Sequence, residues 1–420
     1  MARTPFIPPA SPTPPSTGGS SRLITLGLIG GGQLAKMTAQ AATQFGISIA
    51  IIERKEHSPA SGLAHHSLIG DWDKPADLLR LASLCDVLTL ENEFVDAEAL
   101  AAVERLGHPL HPGSGTVKIV QDKLWQKQAI ADECLPLPRF ADTPTPSDVL
   151  NAATQFGWPL VLKKRRNGYD GKGNATLRSA TDLEAAWRSL DGERNALFAE
   201  AWFPFERELA IMITRGLDGQ IATYPVVETI QRDHICHVVK APAAIPLNLA
   251  QRATETAARA VAAVGGVGTF GVEMFLHPDG SIAINELAPR VHNSGHYTIE
   301  ACECSQFENH VRAVLGWPLG STAMRAPAAV MINLLGAGSG PGQPAGLSEA
   351  LAVPAAAVHL YGKTQSSRGR KMGHVTALGP NLDAAYATAR RAADALRFGV
   401  PSPGTSTSAR AGSSIAPACA

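Results

Sequence analysis

Apolar residues in the first hundred positions fall into short continuous runs rather than strict alternation. Residues 23–29 form one run, Gly30-Gly31-Gly32 follows, a helical spacing covers 33–45, and after Gly46 a second run covers 47–52. Strand, glycine turn, helix and strand predict a βαβ unit, and continuous apolar strands suit a parallel sheet covered on both faces. Residues 86–90 predict a further parallel strand. These elements place an α/β domain at about 22–115.

Further on the pattern changes. Ser114 is placed to N-cap a helix running to Glu133. Pro136, Pro138, Pro144 and Pro146 mark a connector. A helix at 147–156, a strand at 159–163, a glycine-rich loop and a helix at 181–189 follow. The Ala-rich stretch 248–264 predicts a helix. Strands at 269–277 and 281–286 flank His277-Pro278-Asp279-Gly280, a good turn sequence. Short strands and a helix at 382–397 fill the last segment, and no internal repeat is present. The expected organisation is three domains, at 22–115, 116–322 and 323–400. The Pro/Ser-rich ends, 1–21 and 401–420, read as disordered tails, lacking the apolar side chains that offset ordering entropy.

Composition narrows the classes. Thirty-seven Lys and Arg balance 37 Asp and Glu, which disfavours a nucleic-acid surface. No window reaches 18 consecutive apolar residues, so no membrane partner is expected. The first residues lack the apolar core of a secretory signal. Six sparse cysteines argue against a disulfide framework and for a reducing, cytoplasmic setting. Cys302 and Cys304 stand one residue apart with no second pair, a poor zinc spacing.

Four constellations carry chemistry. Gly30-Gly31-Gly32-Gln33-Leu34-Ala35 with Glu53 fits the dinucleotide fingerprint, a tight turn with close helix packing, or a seat for another anion. Residues 163–173 hold five cations against one acid, with glycines that let a loop fold over polyphosphate; the plainer reading is a solvated basic hairpin. Glu273 and Glu286 are symmetric about the 277–280 turn, so a hairpin sets them nearly opposite each other. Two such acids are costly without a cation, and with Asn285 they suit Mg²⁺ on nucleotide phosphates; otherwise they are exposed strand acids. Arg290, His292 and Asn293 follow, donors suited to a small planar anion. Residues 361–374 carry four cations and no acid, apt for a phosphomonoester or for a solvated loop.

In this order the pieces resemble the ATP-grasp superfamily, and within it the N5-carboxyaminoimidazole ribonucleotide synthetases. The residues that carry the resemblance are 30–34, Glu91-Asn92-Glu93, Gln121-Asp122-Lys123, 168–173, 285–296 and 369–374. It spans about 23–398. It implies an α/β fold, α+β overall, with a Rossmann-like parallel-sheet domain, a central ATP-grasp domain and a small C-terminal domain. It implies ATP- and bicarbonate-dependent, ADP-forming carboxylation of 5-aminoimidazole ribonucleotide in purine biosynthesis. Lys123, Lys163, Gly168, Gly171, Gly173, Glu200 and Glu208 would bind ATP, with Glu200 opening the adenine hinge. Glu273, Glu286 and Asn285 would hold Mg²⁺, or Mn²⁺ in its place. Arg290, His292 and Asn293 would position bicarbonate, and Asp170 or His296 would take the amine proton. Gln33, Leu34, Glu91, Tyr169, Asp170, Lys172, Lys363, Arg370 and Lys371 would surround the ribotide. A homodimer is implied, as is handover of the product to a mutase. The family's usual Arg-Pro-Gly-Arg-Lys reads here Ser367-Arg368-Gly369-Arg370-Lys371, which keeps the cations. A formate-dependent ribotide ligase and an NAD-dependent Rossmann oxidoreductase are the competing readings. The second leaves the acid pair and both basic loops without a role, as would a non-catalytic nucleotide binder.

Overall fold

The structure is a computed structural model and describes residues 23–168 and 173–399. Both expected tails, and Tyr169, Asp170, Gly171 and Lys172, lie outside the described residues. Five parallel strands form the N-terminal sheet in the spatial order His66–Ile69, Ser48–Glu53, Thr25–Ile29, Val87–Leu90, Leu110–His111. All five residues of Thr25–Ile29 are buried, as the unbroken apolar run requires. One face packs on helices Pro75–Ala82 and Ala97–Arg105. The other packs on helix Gln33–Thr43 and on the distant helix Gln306–Val314. The strand order reverses between Thr25–Ile29 and Val87–Leu90, which opens a crevice at their carboxyl ends. The glycine turn and Glu91 flank that crevice.

The single helix expected from Ser114 to Glu133 is two helices, Ser114–Gln121 and Lys123–Asp132. Asp122 breaks them apart with an extended backbone, and its carboxylate caps the second helix through the Leu124 and Trp125 N–H groups. Ser114 is not the cap. Gly113 holds that position, and the Ser114 hydroxyl donates to Glu104 instead.

Four antiparallel strands follow in the order Phe140–Asp142, Leu197–Ala201, Leu160–Lys164, Asn174–Leu177. Helices Pro146–Phe156 and Leu183–Ser189 close their core. A nine-stranded sheet forms the rest. Its path runs Ile282–Ala288, Gly268–Leu276, Arg207–Arg215, Val227–Arg232, Ile235–Ala241, Ala328–Leu335, Lys371–Gly379, Ala356–Leu360, with Ile221–Thr223 beside Arg207–Arg215. Helix Leu247–Ala263 covers one end of it and helix Leu382–Ala395 the other. Residues 322 and 323, the expected boundary, lie between strands that this one sheet holds, because Ile235–Ala241 pairs with Ala328–Leu335. The expected hairpin is present, and Glu273 and Glu286 are register partners at a bulge.

His310 fastens the N-terminal sheet to the long one. Its Nδ1 accepts from the Thr269 N–H at 3.0 Å, so Nε2 carries the proton that meets Thr89 Oγ1 at 2.8 Å. Burial, with His111 nearby, pushes His310 down to about 4. The unfolded chain binds a proton near pH 6.5 that the folded chain refuses until about 4, so stability falls as pH drops through that window. The loss from this one group is about 3 kcal/mol. Urea unfolding at pH 7.5 and pH 5 should show about 2 kcal/mol of it, the remainder being lost below pH 5. His310→Asn, which keeps an acceptor for Thr269, should flatten the difference; an unchanged difference would remove His310 as its source.

Candidate active site

The hairpin acids, two lysine-bearing elements and one buried glutamate meet in a single cluster. Lys123, at the start of its helix, pairs with Glu286. Lys163, on the central antiparallel strand, pairs with Glu200 and lies 3.4 Å from Asn285 Oδ1. Lys127, one helical turn after Lys123, pairs with the other Glu200 oxygen and donates to the Asn285 carbonyl at 3.0 Å. Glu200 and Lys127 are each only 2% exposed. Burial opposes the Glu200 charge, but Lys127 and Lys163 outweigh it and hold the carboxyl at about 2. The Glu200 side chain is therefore committed to lysines, and a hinge role could come only from its backbone.

The facing acids differ from each other. Burial, then the Glu286 charge, push Glu273 up to about 8. Burial would raise Glu286 too, but Lys123, Lys163 and Lys127 hold it below the ordinary carboxylate range. Asn285 Nδ2 reaches Glu273 at 3.4 Å. Glu208, on the neighbouring strand, accepts from Gln231 at 2.9 Å, and burial raises it. Two carboxylates and an amide oxygen are hard donors of the kind that Mg²⁺ would take. Among the described residues no group of three or more His, Cys, Asp or Glu could hold a metal by itself. A cleft opens beside Lys123 and Glu286 and is lined also by Glu93, Gln121, Arg166 and Gly168.

Asp122 ties this cluster to the base of the glycine-rich loop. It accepts Arg165 Nε and Nη2 at 3.0 and 2.8 Å while capping the Lys123 helix, and the Lys123 N–H donates to the Arg165 carbonyl. Gly168 and Gly173 close the loop's base; a Cβ on Gly173, whose φ is +94°, would sit 3.1 Å from Gly168 Cα.

The glycine turn holds the chain's own carboxylates. Leu34 N–H donates to Glu91 at 3.3 Å and Gly31 N–H to Glu53 at 3.1 Å, and a side chain at Gly32 would collide with Glu91. Donors that a dinucleotide pyrophosphate would need are thus already engaged. Gln33 opens the helix beside them. Leu34 packs in a small cluster with Met37, Val291, Phe307 and Tyr361, which draws the turn, the Arg290 segment and the C-terminal basic segment together. Lys36 donates to the Leu360 carbonyl at 2.9 Å, reinforcing that junction. Lys363 donates to the Lys371 carbonyl at 2.7 Å, and Arg370 to the Gln365 carbonyl at 2.7 Å.

The 290–296 run divides. His292 lies 3.6 Å from Glu273, and burial with Arg290 nearby keeps it well below its ordinary range. Arg290 grips Glu93 side-on. Asn293 exchanges amide hydrogen bonds with Asn333 at 3.0 and 2.6 Å. His296 is buried against Phe307 and His374, with Gln306 at 3.2 Å from its Nδ1. Burial, then His292, hold it well below its ordinary range, so it is a poor proton acceptor.

Three family models cover most of the chain. Residues 23–121 match the ribonucleotide synthetase preATP-grasp domain, 128–307 the ATP-grasp domain, and 329–388 the phosphoribosylaminoimidazole carboxylase C-terminal domain. The chain is 44% identical over 352 residues to N5-carboxyaminoimidazole ribonucleotide synthase of Synechococcus elongatus, an alignment covering 84% of this chain and 88% of that one. The chain belongs to the N5-carboxyaminoimidazole ribonucleotide synthase family. It is an ATP-grasp ligase of the family that carboxylates 5-aminoimidazole ribonucleotide with ATP in purine biosynthesis. N5-carboxyaminoimidazole synthase of Aspergillus clavatus, solved with ADP and 5-aminoimidazole ribonucleotide, superposes with a TM-score of 0.82 at 35% identity, covering 89% of this chain and 98% of that one. The chloroplastic phosphoribosylaminoimidazole carboxylase of Vigna aconitifolia is 41% identical over 86% of this chain, which spans 65% of that longer relative. Family membership and the filled glycine turn together set aside the oxidoreductase reading.

Three residues that the structure sets in or beside this cluster were given no role in the sequence reading. Lys127 had a signal, its four-residue spacing from Lys123 on one helix face. Asp122 had only its place in the Gln121-Asp122-Lys123 motif, because the expected helix ran straight through it. Glu93 had none beyond its place in the motif that carries the family resemblance.

Proposed function

We propose that this chain joins bicarbonate to the exocyclic amine of 5-aminoimidazole ribonucleotide through carboxyphosphate, forming ADP and phosphate. The observation that carries the reading is the cluster of Lys123, Lys163, Glu273, Asn285 and Glu286, with His292 joining it to the Arg290 segment. A bicarbonate oxygen attacks the γ-phosphorus and ADP leaves. Lys123 and Lys163 bring positive charge to the transferring phosphoryl oxygens. Mg²⁺, or Mn²⁺ in its place, fits Glu273, Glu286 and Asn285, and when bound it neutralises phosphate charge. Carboxyphosphate breaks its C–O bond to phosphate and releases CO₂. The amine nitrogen attacks the CO₂ carbon and gives up one proton, which we assign to Asp170 because His296 is buried and hard to protonate.

Arg290, His292 and Asn293 position bicarbonate in this reading. Glu91, Tyr169, Lys172 and the Lys363, Arg370 and Lys371 segment receive the ribotide and its phosphate. The glycine-rich loop closes over the intermediate, since water would hydrolyse carboxyphosphate. The reading includes a homodimer, a cytoplasmic setting and handover of the labile carbamate to a mutase. Among the described residues five cysteines are free, and no helix is long and apolar enough to cross a membrane.

The test supplies ¹⁸O-bicarbonate with ATP, Mg²⁺ and the ribotide. One labelled oxygen should appear in the released phosphate. Unlabelled phosphate, or ADP formation indifferent to bicarbonate, would sink the mechanism.

A further inference from the structure

Glu93 has no place in the mechanism so far, yet it makes the most complete polar contact to the bicarbonate segment. It lies on the loop between the strand Val87–Leu90 and the helix Ala97–Arg105. Arg290 Nε donates to one of its oxygens at 2.5 Å and Nη2 to the other at 2.9 Å. Nη1 donates to the Val291 carbonyl at 3.2 Å. Both side chains are largely withdrawn from water, 17% and 20% exposed, so the pair is shielded from the screening that weakens surface bridges.

The loop is itself held. Gln121 Nε2 donates to the Glu93 and Val95 carbonyls at 2.9 and 2.6 Å, and Asn92 Oδ1 accepts from the Phe94 N–H at 3.0 Å. Two residues before Glu93, Glu91 meets the glycine turn. Two residues after Gln121, Lys123 meets Glu286. One short segment of the N-terminal domain thus touches the ribotide turn, the arginine of the anion segment and the root of the phosphate lysine.

A guanidinium has five N–H donors in a fixed plane. Glu93 takes two on the side edge and Val291 takes one. Two remain, one each on Nη1 and Nη2, and these form the end-on edge. A bidentate carboxylate fixes the plane of the group as well as its place. A planar anion meeting the remaining edge would find its donors already aligned, which lowers the ordering cost of binding.

We propose that Glu93 is a positioning residue for bicarbonate. It clamps the side edge of Arg290, presents the end-on edge to the anion, and makes the N-terminal domain part of the bicarbonate site. The inference rests on the carboxylation reading above.

The test uses full-length wild type, Glu93→Gln and Glu93→Asp, with ADP formation measured against bicarbonate, ATP and ribotide in turn. Glu93→Gln loses the charge and half of the fork, so the bicarbonate KM should rise about tenfold, a factor equivalent to about 1.4 kcal/mol. The KM values for ATP and ribotide should stay within about twofold, the latter because Glu91 and the loop anchors are intact. Glu93→Asp keeps the charge but shortens the reach, and should raise only the bicarbonate KM, by a smaller factor; it carries the test if Glu93→Gln does not fold. Adding Glu93→Gln to Arg290→Lys should cost little beyond Arg290→Lys alone, since both act through one group. An unchanged bicarbonate KM, or an equal rise in all three KM values, overturns the proposal. A lowered bicarbonate KM overturns it too, because Glu93 would then be the anion's competitor. Bicarbonate-independent turnover by wild type would defeat the carboxylation reading itself, and that result appears before any variant is compared.

Discussion

Glu286→Ala should abolish ADP formation, lowering kcat by on the order of 10³ or more, while leaving the fold intact. The size follows from what Glu286 does in the cluster. It is the acid of the hairpin pair held in its charged form, because three lysines outweigh the effect of burial. Glu273, its register partner, is pushed up to about 8 and offers a weaker anion at neutral pH. Removing Glu286 therefore removes the acid held charged beside Lys123, and with it, in the proposed site, a carboxylate that would serve the metal. The structural cost is small by comparison. Glu286 is about a third exposed, and Lys123 already feels the attraction of Glu273 and Glu200. Glu286→Gln should fail almost as completely, since it keeps the shape and loses the charge. The measurement is ADP release at saturating ATP and Mg²⁺, alongside thermal unfolding. Retained turnover in either variant would remove Glu286 from the metal and phosphate site. A collapse in melting temperature would mark its role as structural.

What could be read from the chain depended on how local the cause was. The Glu273–Glu286 register follows from a turn sequence and two strands of nearly equal length, all within twenty residues, and it is present as expected. The βαβ unit likewise follows from continuous apolar runs and one glycine turn. The helix break at Asp122 was not legible. Gln121 and Lys123 are both good helix formers, and what holds Asp122 out of the helix includes Arg165, a partner just past the strand Leu160–Lys164. The spacing of Lys127 from Lys123 was readable, but its burial was not, for the same reason. A lysine enters a core only when paired, and its partner Glu200 lies in a strand far along the chain. The 290–296 run looked like one constellation because its residues are neighbours in sequence. Folded, Arg290 faces the N-terminal loop, His292 faces Glu273, half-buried Asn293 pairs with Asn333, and His296 alone turns into packed surroundings. Adjacency in sequence says which residues share a segment and leaves open which of their side chains face the same way.

The largest effect on stability is expected at Glu200, the acid that this cluster buries most deeply beside two lysines. Its two oxygens serve Lys127 and Lys163, and it stands between the antiparallel sheet and the helix that carries Lys123. Glu200→Gln leaves two cations in protein with no counter-charge between them. Breaking a buried pair in this way costs about 3–5 kcal/mol, far more than the pair itself contributes over an apolar replacement. The pH dependence gives an independent measure. Glu200 is held at about 2 against an ordinary 4.5, so the folded chain binds its proton less readily than the unfolded chain. Its contribution is complete above about pH 4.5 and is lost as pH falls toward 2, amounting to about 3 kcal/mol. Two further variants separate charge from packing. Lys127→Met in the wild-type background removes one cation and should destabilise, since Glu200 loses a partner and the Asn285 carbonyl loses its donor. Adding Lys127→Met to Glu200→Gln should instead recover part of the loss, because it removes a stranded charge. Urea unfolding at pH 7.5 reads all three. If Glu200→Gln lies within about 1 kcal/mol of wild type, or if the double variant is no more stable than Glu200→Gln alone, the two lysines do not depend on Glu200 for their burial.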